Sequence, residues 1–388
     1  MYKAYYTQTI DYKMIYLDCN ATTPIIPEVR DLVVHYLTEE FGNAGSRTHE
    51  FGQQAQRAVE KALGQIAEVV RSDTTEVLFT SGATESNNIA ILGLEKYANE
   101  TGKKHIISTA IEHKAVIEPL QFLEKKGFEV DFVKPDNSGR ISAQEIESRL
   151  RNETLLVSVM HVNNETGIVQ PISEIAAVLA DHSAFLLVDA AQGFGKDILT
   201  LQSSRIDSIA ISGHKIYAPK GVGALITRRR GYKRMPLQPL MFGGGQERGL
   251  RPGTLPVHLV AGLGLAAQLA LKNYEQRNQA CQTFRQNMLD FLLPLNPVIN
   301  GDLEYSLPNA INLSFVGIDS EALMLALKDE IAISNGSACT SHTYQPSHVL
   351  EAMNLDKSLI ESAVRISWCH MTEEPNWGNM KSVLKSII

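Results

Sequence analysis

The chain has 388 residues, 44% of them hydrophobic and 20% charged, with a net charge of −7 and a pI near 5.9. That length and apolar content exclude a disordered chain and predict two packed domains, and the acidic balance argues against general nucleic-acid affinity. Four scattered cysteines without a CxxC pair exclude a disulfide framework and a zinc site, and no stretch suits a signal peptide or a membrane span, so a soluble protein in a reducing, cytoplasmic setting is expected.

From the N-terminus, IYLDCNATTP predicts a short strand entering a turn that Pro24 and Pro27 help to fix, and FGNAGSRTHEFG a glycine-rich loop that positions binding groups. Between about 48 and 71, Phe51, Ala55, Ala58, Val59, Ala62, Leu63 and Ile66 recur at helical spacing. EVLFT at 76–80 leads into a helix from Thr84 to about Asn99, and HIISTA at 105–110 into one from about Lys114 to Lys126. FEVDFV, TLLVSVM, AFLLVDA, SIAIS and GALITRR complete seven strands between 76 and 229. Their alternation with helices predicts an α/β fold with a mainly parallel sheet covered on both faces. The run RRRGYKR at 228–234 reads as a solvated turn after the last strand, or else as a patch for a nucleic acid or a partner. Residues 257–293 read as one long helix, after which NAINLSF, IAISNGSACTS and VRISW form shorter units. The expected division is a large domain, 1–257, and a smaller α+β domain, 258–388.

The chemistry gathers where apolar strands end in polar residues, since open α/β sheets bind ligands at the carboxyl ends of their strands. FLLVD ends at Asp189 with Gln192 just beyond, and SIAIS ends at Ser212 ahead of His214 and Lys215. An amine, a carboxylate and a hydroxyl at one crevice suit a pyridoxal phosphate enzyme, in which a lysine holds the cofactor as a Schiff base and an acid pairs with the pyridine nitrogen. Asp189 could alternatively cap a helix, and Lys215 could be an ordinary solvated lysine. TSGATESNN at 80–88 joins a strand to a helix whose first N–H groups, with Thr84, could hold a phosphate, or Ser81 and Thr84 could be simple N-caps. His113 in IEHKAV could stack on a flat cofactor and move protons, or be an ordinary loop histidine; Asn163, Asn164 and Glu165 occupy the equivalent strand end in HVNNETG. Cys339, set among small polar residues in SNGSACTS, reads as a reactive thiol in an exposed mobile loop, whereas Cys281 reads as packing. Arg365 in VRISW suits bidentate carboxylate recognition or a surface ion pair.

These motifs in this order, TSGATESNN, IEHKAV, HVNNETG, VDAAQ, SGHKIYAPKGVGAL, GGGQERGLRPGTLP and NGSACTS, resemble the cysteine desulfurases, fold-type I pyridoxal phosphate enzymes of the class V aminotransferase group. The resemblance runs from about Ile15 to Ile388, and the GSAC stretch is similar to the bacterial housekeeping and nitrogen-fixation branch. It implies a homodimer with pyridoxal 5'-phosphate on Lys215, Asp189 at the pyridine nitrogen, Gln192 donating to the ring oxygen, and His113 stacked on the ring with a part in catalysis. It implies a phosphate held by Ala83, Thr84, Ser212, His214 and, from the second subunit, Thr254. Asn164, at the cofactor, and Arg365 would fix the carboxylate of L-cysteine. Cys339 would be the nucleophile that takes the sulfur as a persulfide for an acceptor in iron–sulfur assembly, tRNA thiolation or DNA phosphorothioation. The stretch after Arg365 is short for the tail that binds iron–sulfur scaffolds. EFGNAGSR, STAIEHKAVIEPL, TRRRGYKR and ISW are similar to desulfurases serving DNA phosphorothioate modification. A selenocysteine lyase or aminotransferase of this fold would keep Lys215 and Asp189 without depending on Cys339, and a sulfur-carrier scaffold would need neither.

Overall fold

A computed structural model describes residues 14–335, 346–378 and 384. Its centre is a seven-stranded sheet built from β2 (Val77–Thr80), β3 (His105–Thr109), β4 (Glu129–Val133), β5 (Thr154–Met160), β6 (Phe185–Asp189), β7 (Ser208–Ser212) and β8 (Gly223–Thr227), numbered after a short N-terminal β1 (Ile15–Tyr16). The spatial order is β2-β8-β7-β6-β5-β3-β4, parallel throughout except for β8, which runs antiparallel to both its neighbours. The strands expected between 76 and 229 are therefore all present. Those in the middle are buried on both faces, which is why they read as unbroken apolar runs; only β4, at the edge, is partly exposed along EVDFV.

Helices α1 (Pro27–Thr38) and α2 (Glu50–Val70) precede the sheet, and α3 (Ala83–Leu92), α4 (Glu95–Thr101), α5 (Lys114–Glu124), α6 (Ala143–Glu147) and α7 (Ile172–Val178) cross between its strands. The single helix expected from Thr84 to Asn99 is broken into α3 and α4 because the Gly93 carbonyl accepts from Gln238 N at 2.9 Å, and a Cβ at Gly93 would stand 2.4 Å from the Ile89 oxygen. The long helix α8 (Val257–Leu292) lies against α2 so closely that a Cβ at Gly264 would stand 2.6 Å from Ala62 Cβ.

Beyond α8 come β9 (Val298–Ile299), β10 (Ala310–Ser314), α9 (Ser320–Leu327), β11 (Ile331–Ala332), α10 (His348–Ala352), α11 (Lys357–Glu361) and β12 (Ala363–Ser367). The order β12-β10-β9 is antiparallel, and β11 pairs in parallel with β1. The expected division at 257/258 falls at the first turn of α8. The early part of that helix, Val257 to Ala267, packs in the core of the large sheet, while Cys281, Phe284, Met288 and Leu292 pack with Leu17, Leu313 and Trp368. One continuous helix and the N-terminal strand thus tie the two parts together.

The basic run is largely consumed internally. Buried Arg228 donates to the carbonyls of Val70, Leu201, Ser203 and Ile206, and Arg230 donates to both oxygens of Asp207 and to Ala184 O, while Tyr232 is fully exposed. The arginines staple loops to the sheet, a role that a charge count cannot distinguish from a surface patch.

Candidate active site

At the carboxyl ends of β2, β3, β5, β6 and β7 the chain encloses a cavity of about 460 Å³. Ala83, Thr84, His113, Asn164, Asp189, Gln192, Ser212, His214, Lys215 and Arg365 all line it, together with Asn20, Ala21, Met160 and Lys220.

Lys215 ends a single turn that follows β7, where Gly213 N donates to Val222 O at 2.9 Å and a Cβ would be crowded, 3.0 Å from Val222 and 3.1 Å from Pro219 O. Its Nζ donates to the carbonyls of Asn20 at 2.5 Å and Ala21 at 2.7 Å. The turn bearing those carbonyls is fixed in turn, since Thr23 N and Thr23 Oγ1 both donate to His214 O and Tyr217 N donates to Thr23 Oγ1. The N-terminal ATTP motif therefore serves as a wall of the lysine site.

Asp189 is buried at the end of β6, where Ala191 N (3.0 Å) donates to one carboxyl oxygen and Asn87 Nδ2 (2.7 Å) to the other. No helix follows for it to cap. Burial pushes its pKa up, against the pull of Ala191 N–H, His113, Asn87 and Lys215, so a cation held at this carboxylate would be strongly favoured. His113 caps α5 by accepting from Ala115 N at 3.1 Å through Nδ1, which leaves the proton of the neutral ring on Nε2. Burial and the nearby Lys215 charge lower its pKa, against the pull of Asp189. His214, with burial first and Lys215 and Lys220 beside it, is held down to about 4 and is neutral at working pH.

Opposite Lys215, Gly82 adopts φ 156°, which a side chain would strain, and lies beside the Ser212 hydroxyl; it starts α3 so that the first-turn N–H groups at Ala83 and Thr84 have no helical partners. Gln192 Nε2 donates to Asn20 O at 2.9 Å, and its Oε1 is buried without a partner; the amide's second hydrogen is the one available to a cofactor oxygen. Arg365, only 2% exposed, bonds the Asp18 carboxylate (2.6 Å) and Asn164 O (3.1 Å), while its Nε is buried and unpartnered. The ion pair is thus buried on its arginine side, and the Nε donor of Arg365 is unspent.

A pyridoxal phosphate fits these groups: its ring nitrogen would meet an otherwise costly buried carboxylate, its phosphate the start of α3 and Ser212, and its aldehyde carbon the amine of Lys215. Thr254 is exposed and does not line the cavity of its own chain. Cys339 lies outside the described residues. Both flanks of 336–345 are bonded at the site: Ser334 exchanges backbone hydrogen bonds with Arg365, Ser347 Oγ donates to Glu165 at 2.5 Å, and His348 Nε2 donates to Glu112 O at 2.9 Å.

Sequence reasoning missed Asn20, Asn87, Lys220 and the buried Glu112. Glu112 Oε1 accepts from Thr109 Oγ1 at 2.7 Å and Met160 N at 2.8 Å, its Oε2 is unpartnered, and burial pushes its pKa to about 8. Its only signal was its place beside His113 after an apolar strand.

The Aminotransferase class-V family profile matches residues 15–376. The chain is 44% identical over 363 residues to the cysteine desulfurase IscS of Vibrio vulnificus (strain YJ016), covering 93% of this chain and 89% of that protein. The crystal structure of DndA from Streptomyces lividans superposes with a TM-score of 0.81 at 49% identity, covering 92% of this chain and 98% of that one. A structure of SspA in complex with cysteine superposes with a TM-score of 0.80 at 35% identity, covering 93% of this chain and all of that one.

Proposed function

Because the chain belongs to the class-V aminotransferase family and is a pyridoxal phosphate-dependent cysteine desulfurase, we propose that Lys215, Asp189 and His113 activate L-cysteine and that Cys339 takes its sulfur. The observation that carries this reading is the convergence of those three residues on one cavity, with both flanks of 336–345 bonded to residues at its edge. When bound, the cofactor withdraws electrons from the α-carbon of the amino acid it carries. Asp189 would keep the ring nitrogen protonated. Gln192 would donate to the ring oxygen, His113 would pack on the ring, and Ala83, Thr84, Ser212 and His214 would hold the phosphate. Asn164 and Arg365 would fix the substrate carboxylate, and the amine of Lys215 would move the α-proton. The Cys339 thiolate attacks the substrate sulfur, so that an S–S bond forms as the carbon–sulfur bond breaks, and the three-carbon fragment takes a proton and leaves as alanine.

The proposal extends to a cytoplasmic homodimer in which Thr254 completes the phosphate site of the partner subunit; no helix among the described residues is long and apolar enough to cross a membrane. For the acceptor we favour a protein of DNA phosphorothioate modification over an iron–sulfur scaffold, supported by the 49% identity to DndA. Pull-down with persulfide-trapped protein tests that choice. Replacing Cys339 with serine should abolish sulfide release from L-cysteine while the cofactor's visible absorbance is retained; unchanged turnover would reject the role of Cys339.

A further inference from the structure

Arg365 lines the cavity, whereas the carboxylate bonded to it, that of Asp18, does not. Asp18 Oδ1 accepts from Arg365 Nη2 at 2.6 Å and from Ser334 Oγ at 3.1 Å. The backbone under that carboxylate is fixed: Asp18 bridges to Ser367 in parallel, and its carbonyl accepts from Ala21 N and the Tyr16 hydroxyl, each at 2.9 Å. Ser334 is tied to the arginine as well, since Arg365 N donates to Ser334 O at 2.6 Å and Ser334 N to Arg365 O at 3.3 Å. With the side chain of Arg365 2% exposed and that of Asp18 20% exposed, these three residues form a built unit behind one wall of the site.

A guanidinium offers five N–H donors. Asp18 takes one on Nη2, Asn164 O takes one on Nη1 at 3.1 Å, and Nε is buried without a partner. Glu165, the other acid facing Arg365, is bonded to Ser347 Oγ at 2.5 Å, and burial raises its pKa, which leaves Asp18 as the carboxylate bonded to the guanidinium. A buried cation needs a counter-charge, and this one has it before a substrate arrives. A second carboxylate on the same guanidinium must then share the positive charge with Asp18, and at an effective dielectric of about 20 two such anions repel each other appreciably across the width of the group.

We propose that Asp18 is a positioning residue that sets the affinity of the carboxylate subsite: its oxygen holds the guanidinium of Arg365 in place, and its charge weakens the grip of that guanidinium on the α-carboxylate of the amino acid. The proposal rests on the reading that Arg365 meets the substrate carboxylate. L-Cysteine enters and L-alanine leaves with the same carboxylate, so a tight hold there would bind substrate and product alike, adding nothing to the chemical step and slowing release. Asp18 keeps the hold loose enough for turnover. The two parts of its role are separable, because asparagine at this position still presents an accepting oxygen to Arg365 and Ser334 but carries no charge.

The test titrates holoenzyme with L-alanine, followed by the cofactor's visible absorbance, and in parallel with L-alaninamide, which lacks the carboxylate charge. L-Alanine has no sulfur to lose, so the outcome is independent of the role of Cys339. Asp18→Asn should bind L-alanine about 5–50-fold more tightly than the wild type while its affinity for L-alaninamide stays within about twofold. Arg365→Gln should bind L-alanine at least about tenfold more weakly. Ser334→Ala, which removes a donor from Asp18 Oδ1 and leaves the charge, should shift L-alanine binding the opposite way, weaker by about 2–5-fold, and keeps the test open where Asp18→Asn yields no folded holoenzyme. In turnover of L-cysteine, Asp18→Asn should lower KM without raising kcat. Unchanged or weaker L-alanine binding in Asp18→Asn, an equal shift for L-alanine and L-alaninamide, or tighter L-alanine binding in Ser334→Ala overturns the proposal; if Arg365→Gln is impaired as expected, the carboxylate reading of Arg365 still stands. Wild-type L-alanine affinity in Arg365→Gln overturns both.

Discussion

Glu112 makes a sharp prediction about stability. The carboxyl is fully buried, uses one oxygen for two hydrogen bonds, and has a pKa raised from 4.5 to about 8, with burial as the largest cause. At neutral pH the folded protein therefore holds a proton there that the unfolded chain has lost. More protons bound in the folded state means that stability falls as pH rises, so this contribution is fully present below about 4.5 and is lost progressively toward about 8. The full displacement corresponds to on the order of 5 kcal/mol, and relaxation around the site would leave about 3–5. Glu112→Gln keeps the accepting oxygen for Thr109 and Met160 and removes the titration. Urea unfolding of both proteins, each saturated with pyridoxal phosphate, should show the variant gaining on the wild type from pH 5 to pH 8, at up to about 1.4 kcal/mol per pH unit. Glu165, also raised, is common to both proteins and cancels in the difference, and Asp189, whose charge adds to the rise at Glu112, is held constant by saturating both proteins with the cofactor. A difference that stays flat with pH to within about 0.5 kcal/mol would refute a buried neutral acid at this position.

Arg365→Lys retains a charge but not the fork that spans Asp18 and Asn164 O with Nε to spare; losing one charge-assisted bond to substrate, about 1.5–3 kcal/mol, should lower kcat/KM for L-cysteine by about 10–100-fold. Steady-state kinetics within twofold of wild type would remove Arg365 from the substrate site. Arg228→Ala strands four carbonyls that now share one guanidinium and should destabilise the protein by about 3 kcal/mol or more in urea, whereas Tyr232→Ala nearby should be neutral. Thr254→Ala should weaken pyridoxal phosphate binding without dissociating the dimer, measured by absorbance titration and sedimentation; monomers with full cofactor affinity would contradict a shared phosphate site.

The sheet was readable because its middle strands are buried on both faces and so are apolar without interruption, and because each ends abruptly in a polar residue, as FLLVD does at Asp189. Lys215, His113 and Asn164 could be singled out as candidates by that local punctuation, and they do line one cavity, but their roles came only with the family resemblance, since a solvated lysine or a loop histidine ends a strand equally well. Helix α1 was not, since it begins after Ile26 with no side-chain cap and buries only Val29. The break between α3 and α4 depends on Gln238, far along the chain, and the role of Asn20 depends on Lys215 reaching back to it. Arg228 and Glu112 were missed for a shared reason: a charged residue type says nothing of burial until the partners that satisfy it are assembled.

The same long reach sets an order of events during synthesis. The carbonyls that receive Lys215 are carried by a turn that β1 anchors on β11 and Cys19 anchors on Ser367, so they come to rest only after Ser367 has been made. At about 5–20 residues per second, Lys215 leaves the ribosome roughly 8–30 s ahead of Ser367. Through that interval the sheet exists with one wall of its pocket missing. Pyridoxal phosphate capture is then a late step of biogenesis, and a truncated product would carry the lysine and the acid yet fail to retain the cofactor.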